Sequence, residues 1–278
     1  VINSPALPPK HSVLGVGISA TSYAEVTDIC GAWVEQRRQG ANGPAHFVTL
    51  TDGNGIVTGF FEKRFRQIVN SSDISTPDGM PVVWAMRSFG VSRQTRVYGP
   101  DLMLCLCERA ASAGHRIFLY GARQDTLEAL SHNLTRKFPG LTVCGMISPP
   151  FRPVTPEEDT AYVRQILDSG ADIVFVGLGT PKQEAWMLAH RDKLPGLVLL
   201  SVGAAFDFHA GRIEQAPKWM QRSGLEWFFR LTREPRRLWK RYLVVVTMLP
   251  PLWALQKLRI LRVQLPAEPR LLPTEPRL

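Results

Sequence analysis

Residues 171–207 read ADIVFVGLGTPKQEAWMLAHRDKLPGLVLLSVGAAFD. An apolar run, a glycine-bearing turn, a helical stretch and a second apolar run follow one another. Short apolar runs without polar alternation are what strands look like when both faces are covered, and a helix between two of them supplies the crossover of a parallel pair.

The same alternation extends upstream. HSVLGVGI (11–18) precedes the helical SYAEVTDICGAWVEQRR, AHFVTLTD (45–52) precedes a mixed stretch reaching Val69, and HRIFLYGA (115–122) precedes RQDTLEALSHNLTRKF. LTVCGMI (141–147) leads to TPEEDTAYVRQILDSG, where Thr155, Pro156 and Glu158 form a capping-box signature with proline in the first turn. The expected fold class is α/β, a Rossmann-like parallel-sheet core with helices on both faces. Asp207 is expected to end the last strand. Beyond it the pattern is helical to about Arg262, with breaks at Gly224, Pro235 and Pro250–Pro251.

Charge divides the chain at the same place. Residues 218–278 hold 13 of the 33 Lys and Arg but only 4 of the 24 Asp and Glu, so the whole net charge of +9 sits there. The expected organisation is a core over 1–216, a basic helical appendage over 217–262 that binds membrane, and a Pro-rich tail over 263–278. The longest apolar run, YLVVVTMLPPLWAL, has 14 residues and two prolines, whereas a spanning helix needs about 20. It suits the interface. Arg230, Arg233, Arg236, Arg237, Lys240 and Arg241 recur at helical spacing among Trp227, Phe228, Phe229, Trp239 and Tyr242, a mixture that fits an anionic membrane surface or a diphosphate. Nucleic acid is not expected, because no aromatic stacking platform appears on the strands. Cys30, Cys105, Cys107 and Cys144 have no metal-site spacing and read as small apolar fillers. The sequence opens at Val1 without a basic-then-apolar signal.

Three places in the core can carry chemistry. In STPDGMPVVW (75–84), Asp78 follows the strand-like SSDIS and precedes a helix, which offers either a general base at a strand end or a turn aspartate. In VFVGLGTPKQEAWM (174–187), Gly177 and Gly179 offer either close backbone approach of a diphosphate at a helix start or an ordinary tight strand-to-helix turn, while Gln183 and Glu184 can bond a base or sugar or lie on solvated surface. The turn lacks the third glycine of a dinucleotide fingerprint. Asp207 is expected to open into the same crevice, and His209 to serve packing or hydrogen bonding rather than to act as a ligand. No Asp-x-Asp occurs, so no metal and no cofactor are expected, and diphosphate charge must be met by Arg and Lys.

TPDGMPVVW, RVYGPDLM, VGLGTPKQEAWM and the block GAAFDFHAGRIEQAPKWMQRSGLEWFFRLTREPRRLWKRYL together resemble the WecG/TagA/CpsF family of bacterial glycosyltransferases, glycosyltransferase family 26. The resemblance covers roughly residues 12–245. It implies a metal-independent, inverting, β-forming hexosyl transfer from a UDP-sugar to a polyprenyl-diphosphate-linked saccharide. That chemistry belongs to exopolysaccharide or cell-wall glycan synthesis and takes place peripherally on the cytoplasmic face of the bacterial inner membrane. It implies Asp78 as catalytic base, with Thr49 and Arg96 beside it. Thr51, Gly177, Gly179, Gln183 and Asp207 would bind the donor, and Arg230, Arg237 and Lys240 would stabilise the diphosphate. Thr49-Leu50-Thr51 stands where the family commonly has Thr-x-Asn, and Lys240 where arginine is common. The oligomeric state stays open. The rivals are a nucleotide-dependent oxidoreductase and a non-enzymatic membrane-surface scaffold.

Overall fold

A computed structural model describes residues 5–265 of the protein. From residue 266 onward, the expected Pro-rich tail lies outside the described residues. The order begins β1 (Lys10–Val13), β2 (Val16–Ser19), α1 (Tyr23–Arg38), β3 (His46–Thr51), α2 (Gly53–Phe61), α3 (Lys63–Ser71), β4 (Ile74–Pro77) and α4 (Met80–Ser88). It continues with α5 (Gly99–Ala113), β5 (Arg116–Gly121), α6 (Gln124–Lys137), β6 (Thr142–Ile147), α7 (Pro156–Asp168), β7 (Ile173–Gly177), α8 (Lys182–His190) and β8 (Val198–Ser201). Four helices close it: α9 (Ala205–His209), α10 (Lys218–Arg222), α11 (Glu226–Arg233) and α12 (Pro235–Lys257).

Six strands form one sheet in the order β4-β3-β8-β7-β5-β6. The described residues divide into two compact units, 5–7, Tyr23–Thr49 and Gly99–Glu214 in the first and Pro8–Ser22, Leu50–Tyr98 and 215–265 in the second.

In the first unit β8, β7, β5 and β6 run parallel, and the start of β3 joins β8 with His46 opposite Val198. Every residue of β8 is buried, as are Ile173–Val176 of β7. Because successive side chains point to opposite sides, continuous burial means that both sheet faces are covered. This is the expected α/β arrangement. The core gathers Phe47, Phe118, Tyr120, Val174, Met187 and Leu199. The capping box of α7 is present, with Thr155 Oγ1 accepting from the Glu158 amide at 3.3 Å and the Glu158 carboxylate accepting from the Thr155 amide at 2.9 Å. Asp207 departs from expectation. β8 stops at Ser201, and Asp207 sits in the single-turn helix α9. The apolar run continues past the strand because Ala205 and Phe206 are buried in that helix.

In the second unit HSVLGVGI is two strands, not the one expected. β1 and β2 form an antiparallel hairpin that reverses at Leu14 and Gly15, both at positive φ (52° and 84°). Val13, Leu14, Val16 and Ile18 share a core with Ile56, Phe65, Val69, Val82 and Met86, and Leu249 of α12 is buried in it. Val245, Leu252 and Trp253 pack against that core. Gln256 binds the hairpin twice, accepting from the Leu14 amide at 2.8 Å and donating to the Ser12 carbonyl at 3.1 Å. Helix α12 is therefore packed into this unit's core. Helices α2 and α12 approach closely at Gly53, where a Cβ would stand 3.2 Å from Leu249 and 3.3 Å from Val245.

Pro250 and Pro251 read as helix breakers, yet α12 runs through them for 23 residues. Each proline removes one amide donor, at about 3 kcal/mol in a helix interior. Here both prolines, and the Val246 and Thr247 positions whose carbonyls lose a partner, are exposed. Packing of Leu249, Leu252 and Trp253 on the opposite side carries the helix forward. None of the described helices is long and apolar enough to cross a membrane.

Candidate active site

Asp78 stands between β4 and α4, half-buried. Its amide donates to the Thr51 carbonyl at 3.0 Å, and its carbonyl accepts from Arg96 Nε. The strand ahead of it is fixed by Thr51 Oγ1 against Ser75 Oγ at 2.9 Å and by the Val97 amide donating to Pro77 O at 3.0 Å. Gly79 then caps α4, with proline in the first turn. The turn thus has a rigid backbone and a carboxylate-bearing side chain. Thr49 and Thr51 are both buried on β3, two residues apart and so on one strand face. The Thr51 hydroxyl is committed to Ser75.

Arg96 extends the site into α11. One terminal nitrogen donates to Glu226 Oε2 at 2.7 Å, Tyr98 Oη donates to Glu226 Oε1 at 2.8 Å, and the guanidinium lies 3.9 Å from the Tyr98 ring centre. Burial works against the charge on Arg96, but Asp78 and Glu226 outweigh it and hold the pKa above the usual arginine value. Burial, with Glu226 next, pushes the Tyr98 phenol up, so it stays a neutral donor. Arg230 follows the same pattern, with burial offset by neighbours that include Glu226 and Asp52.

Asp52 completes the group. It caps α2 by accepting from the Gly55 amide at 2.9 Å, and its other oxygen takes Arg241 of α12 at 2.8 Å. Asp52 also borders the Asp78 turn, since a Cβ on Gly79 would lie 3.6 Å from its Cα. Tyr242, buried beside Arg241, has a phenol pushed up by burial, and its ring meets Trp227 at 5.9 Å. The second unit therefore brings Asp78, Thr51, Arg96 and Arg230 of the expected residues into one neighbourhood. It leaves Arg237 and Lys240 apart. Arg237 is exposed and pairs with Glu234 at 2.5 Å, while Lys240 is exposed over Trp239. The shared basic face read across residues 230–241 is divided between two helices, because α11 ends at Arg233 and α12 starts at Pro235.

Asp52, Tyr98 and Glu226 lie outside the set of expected site residues, and Arg241 and Tyr242 enter the expectation only as part of the basic, aromatic run. The available signals are the Asp-Gly-Asn-Gly cap directly after β3, and a lone carboxylate, Glu226, within the basic run 218–233.

The first unit holds the glycine turn. β7 ends at Gly177, Gly179 has φ of 77°, and the turn opens where parallel strands end, the usual ligand edge of such sheets. Gln183 and Glu184 are buried and brace the turn from within. Gln183 Oε1 accepts from the Gly179 amide at 3.2 Å and its Nε2 donates to Glu184 at 2.9 Å, while Thr180 Oγ1 donates to Glu184 at 3.1 Å. The neighbouring loop after β8 is tied to β7 by the Val202 amide donating to Val176 O at 2.9 Å, and it leads to Asp207. His209 is a hydrogen-bonding histidine, one of the two roles expected. It contacts Pro100 O at 2.9 Å through Nε2, and burial holds its pKa down.

Gly177 has a packing reason to be glycine. A Cβ there would meet the Phe206 ring at 2.5 Å, and a Cβ on Gly121 would meet the Gly177 backbone at 2.6 Å. Gly177→Ala is expected to lose about 1–3 kcal/mol in denaturant unfolding through overpacking. Unchanged stability with weakened nucleotide binding would instead assign Gly177 to ligand approach. A Cβ on Gly179 would meet nothing within 4 Å, so the requirement there is conformational.

Residues 11–263 match the model of the Glycosyl transferase WecG/TagA/CpsF family. The chain is 33% identical over 184 residues to the N-acetylglucosaminyldiphosphoundecaprenol N-acetyl-beta-D-mannosaminyltransferase of Bacillus subtilis (strain 168), covering 66% of this chain and 70% of that protein. The protein of the same name from Bacillus spizizenii (strain ATCC 23059 / NRRL B-14472 / W23) is 31% identical over 182 residues, covering 66% of this chain and 68% of its own.

Proposed function

The chain belongs to the WecG/TagA/CpsF glycosyl transferase family, and on that footing we propose that it transfers a hexosyl group from a UDP-sugar to a saccharide carried on a polyprenyl diphosphate, with inversion. The observation that carries this reading is the Asp78 turn, a carboxylate on a backbone fixed by Thr51 and Arg96 and set among arginines.

In the proposed step, Asp78 accepts the proton of the acceptor hydroxyl as that oxygen attacks the anomeric carbon. The new C–O bond forms while the bond to UDP breaks, and the electron pair leaves with the diphosphate. Arg96 and Arg230 supply positive charge for that leaving group in a partly buried setting, where it acts more strongly than in water. Thr49 is assigned to the acceptor side. The nucleotide is assigned to the turn Gly177–Gly179, with Gln183 holding its shape and Asp207 near the ribose or base. Thr51 is assigned to the sugar through the shape of its surroundings. Arg237 and Lys240, exposed on α12, are assigned to phosphates at the membrane surface.

The relatives' names specify N-acetylmannosamine transfer to N-acetylglucosaminyl-diphosphoundecaprenol, so UDP-N-acetylmannosamine comes first on a donor panel with UDP-glucose and the uronic acid of N-acetylmannosamine. The test is transfer to short-chain polyprenyl-diphosphate N-acetylglucosamine with EDTA present. Product from one donor, unaffected by EDTA and β-linked by NMR, is expected. Absence of product from every pair, or loss on chelation, would overturn the metal-independent transferase.

A further inference from the structure

The Asp78 turn is not held by its own segment alone. The Arg96 guanidinium bridges two elements, donating from Nε to the Asp78 carbonyl and from a terminal nitrogen to Glu226 at 2.7 Å. Glu226 in turn is held from its other oxygen by Tyr98 at 2.8 Å, and the Tyr98 ring lies under the guanidinium. Arg96 and Glu226 have side-chain exposures of 15% and 14%, so the pair is largely shielded and its geometry is not a passing surface contact. A chain of contacts therefore runs from Tyr98 through Glu226 and Arg96 to the residue that bears the candidate base. Among residues 218–233, Glu226 is the only acid in a run of basic residues, and it occupies the first turn of α11, where a carboxylate also complements the helix dipole.

We propose that Glu226 is a positioning residue for the transfer reaction: it clamps the Arg96 guanidinium in the orientation that holds the Asp78 turn and presents positive charge toward the leaving group. Glu226 itself exchanges no proton and touches no substrate. The proposal rests on the transferase reading given above. Without the clamp, Arg96 keeps its charge but gains freedom about its side-chain torsions, and a misplacement of about 1 Å in such a group can lower turnover by about a hundredfold. An aspartate at 226 is one methylene shorter and cannot reach both partners without moving α11.

The experiment is a double-mutant cycle on the full chain, with kcat and donor KM measured for each variant. Glu226→Ala is expected to lower kcat by about a hundredfold and leave donor KM within about threefold. Glu226→Gln keeps an oxygen acceptor for Arg96 in the same volume and is expected to recover about tenfold of that loss. In an Arg96→Ala background, Glu226→Ala is expected to change kcat by less than about threefold, because a residue that acts through Arg96 has nothing left to act on. Full additivity of the two losses would overturn the proposal, as would wild-type kcat in Glu226→Ala. Glu226→Gln no better than Glu226→Ala would also count against it. A wild-type chain that transfers none of the panel sugars would sink the transferase reading and this one with it, whereas a working enzyme with additive losses sinks this one alone.

Discussion

Asp78→Asn is expected to lower kcat for transfer by about a thousandfold while donor binding stays within a few-fold of the parent. The substitution is almost isosteric and leaves the backbone of the turn untouched. The residue 78 amide still donates to the Thr51 carbonyl, and its carbonyl still accepts from Arg96 Nε. What disappears is the carboxylate's negative charge, and with it both the capacity to take a proton and the attraction for the Arg96 guanidinium. Positioned general bases contribute about 10²–10⁴-fold, which sets the expected fall in kcat at about a thousandfold. The informative control is Asp52→Asn, the neighbouring carboxylate. Asparagine is as good a helix N-cap as aspartate, so α2 keeps its cap and loses the Arg241 ion pair, whose partners are about one-third exposed. That pair is worth at most about 1 kcal/mol. Asp52→Asn is therefore expected to reduce activity modestly. Should Asp78→Asn keep turnover and Asp52→Asn remove it, the base role passes to Asp52.

The parallel core is legible because its strands are covered on both sides and read as unbroken apolar runs. The same signal fails where burial is equal in two kinds of structure. LVLLSVGAAFD looks continuous, but its end is a buried helical turn. HSVLGVGI looks like one strand because the reversal is made by Leu14-Gly15, with a leucine at positive φ where Asn or Gly would have marked a turn. Pro250–Pro251 mislead because local proline chemistry cannot register the burial of Leu249 or the hydrogen bonds of Gln256 to the hairpin more than 240 residues earlier. The site divides in the same way. Asp78 and Arg96 stand in short distinctive motifs, whereas Glu226 and Asp52 acquire meaning only from partners 130 and 189 residues away. A carboxylate inside a basic helix reads as charge balance until the arginine it holds is known.

That integration changes what removal of the basic segment should do. Cutting the chain after residue 217 deletes Leu249 and Trp253 from the second unit's core, Gln256 from the hairpin, Arg241 from Asp52 and Glu226 from Arg96. Such a truncation is expected to destabilise the unit that carries Asp78, so loss of activity in it would not isolate membrane binding. Point changes on α12 can. Leu238, Tyr242 and Leu249 form its buried stripe, while Trp239, Leu243 and Val246, at successive i, i+4 and i+7 positions, are 49%, 55% and 45% exposed. Arg236, Arg237 and Lys240 are exposed beside them. An apolar stripe flanked by cations is the pattern of a helix lying in a headgroup region. Full burial of such side chains is worth about 1.5–3 kcal/mol each, so half-exposed ones contribute roughly 1 kcal/mol each, or about 3 kcal/mol for the three. The Trp239→Ser, Leu243→Ser, Val246→Ser triple variant is therefore expected to weaken binding to anionic vesicles by about a hundredfold with little change in unfolding midpoint. Transfer to a long-chain acceptor in vesicles should fall with it, and transfer to a soluble short-chain acceptor should persist. Undiminished vesicle binding would remove this stripe from the membrane face. Loss of both transfers in a folded variant would mean that α12 acts on the Asp78 neighbourhood directly, through Arg241 and Asp52, whether or not a membrane is present.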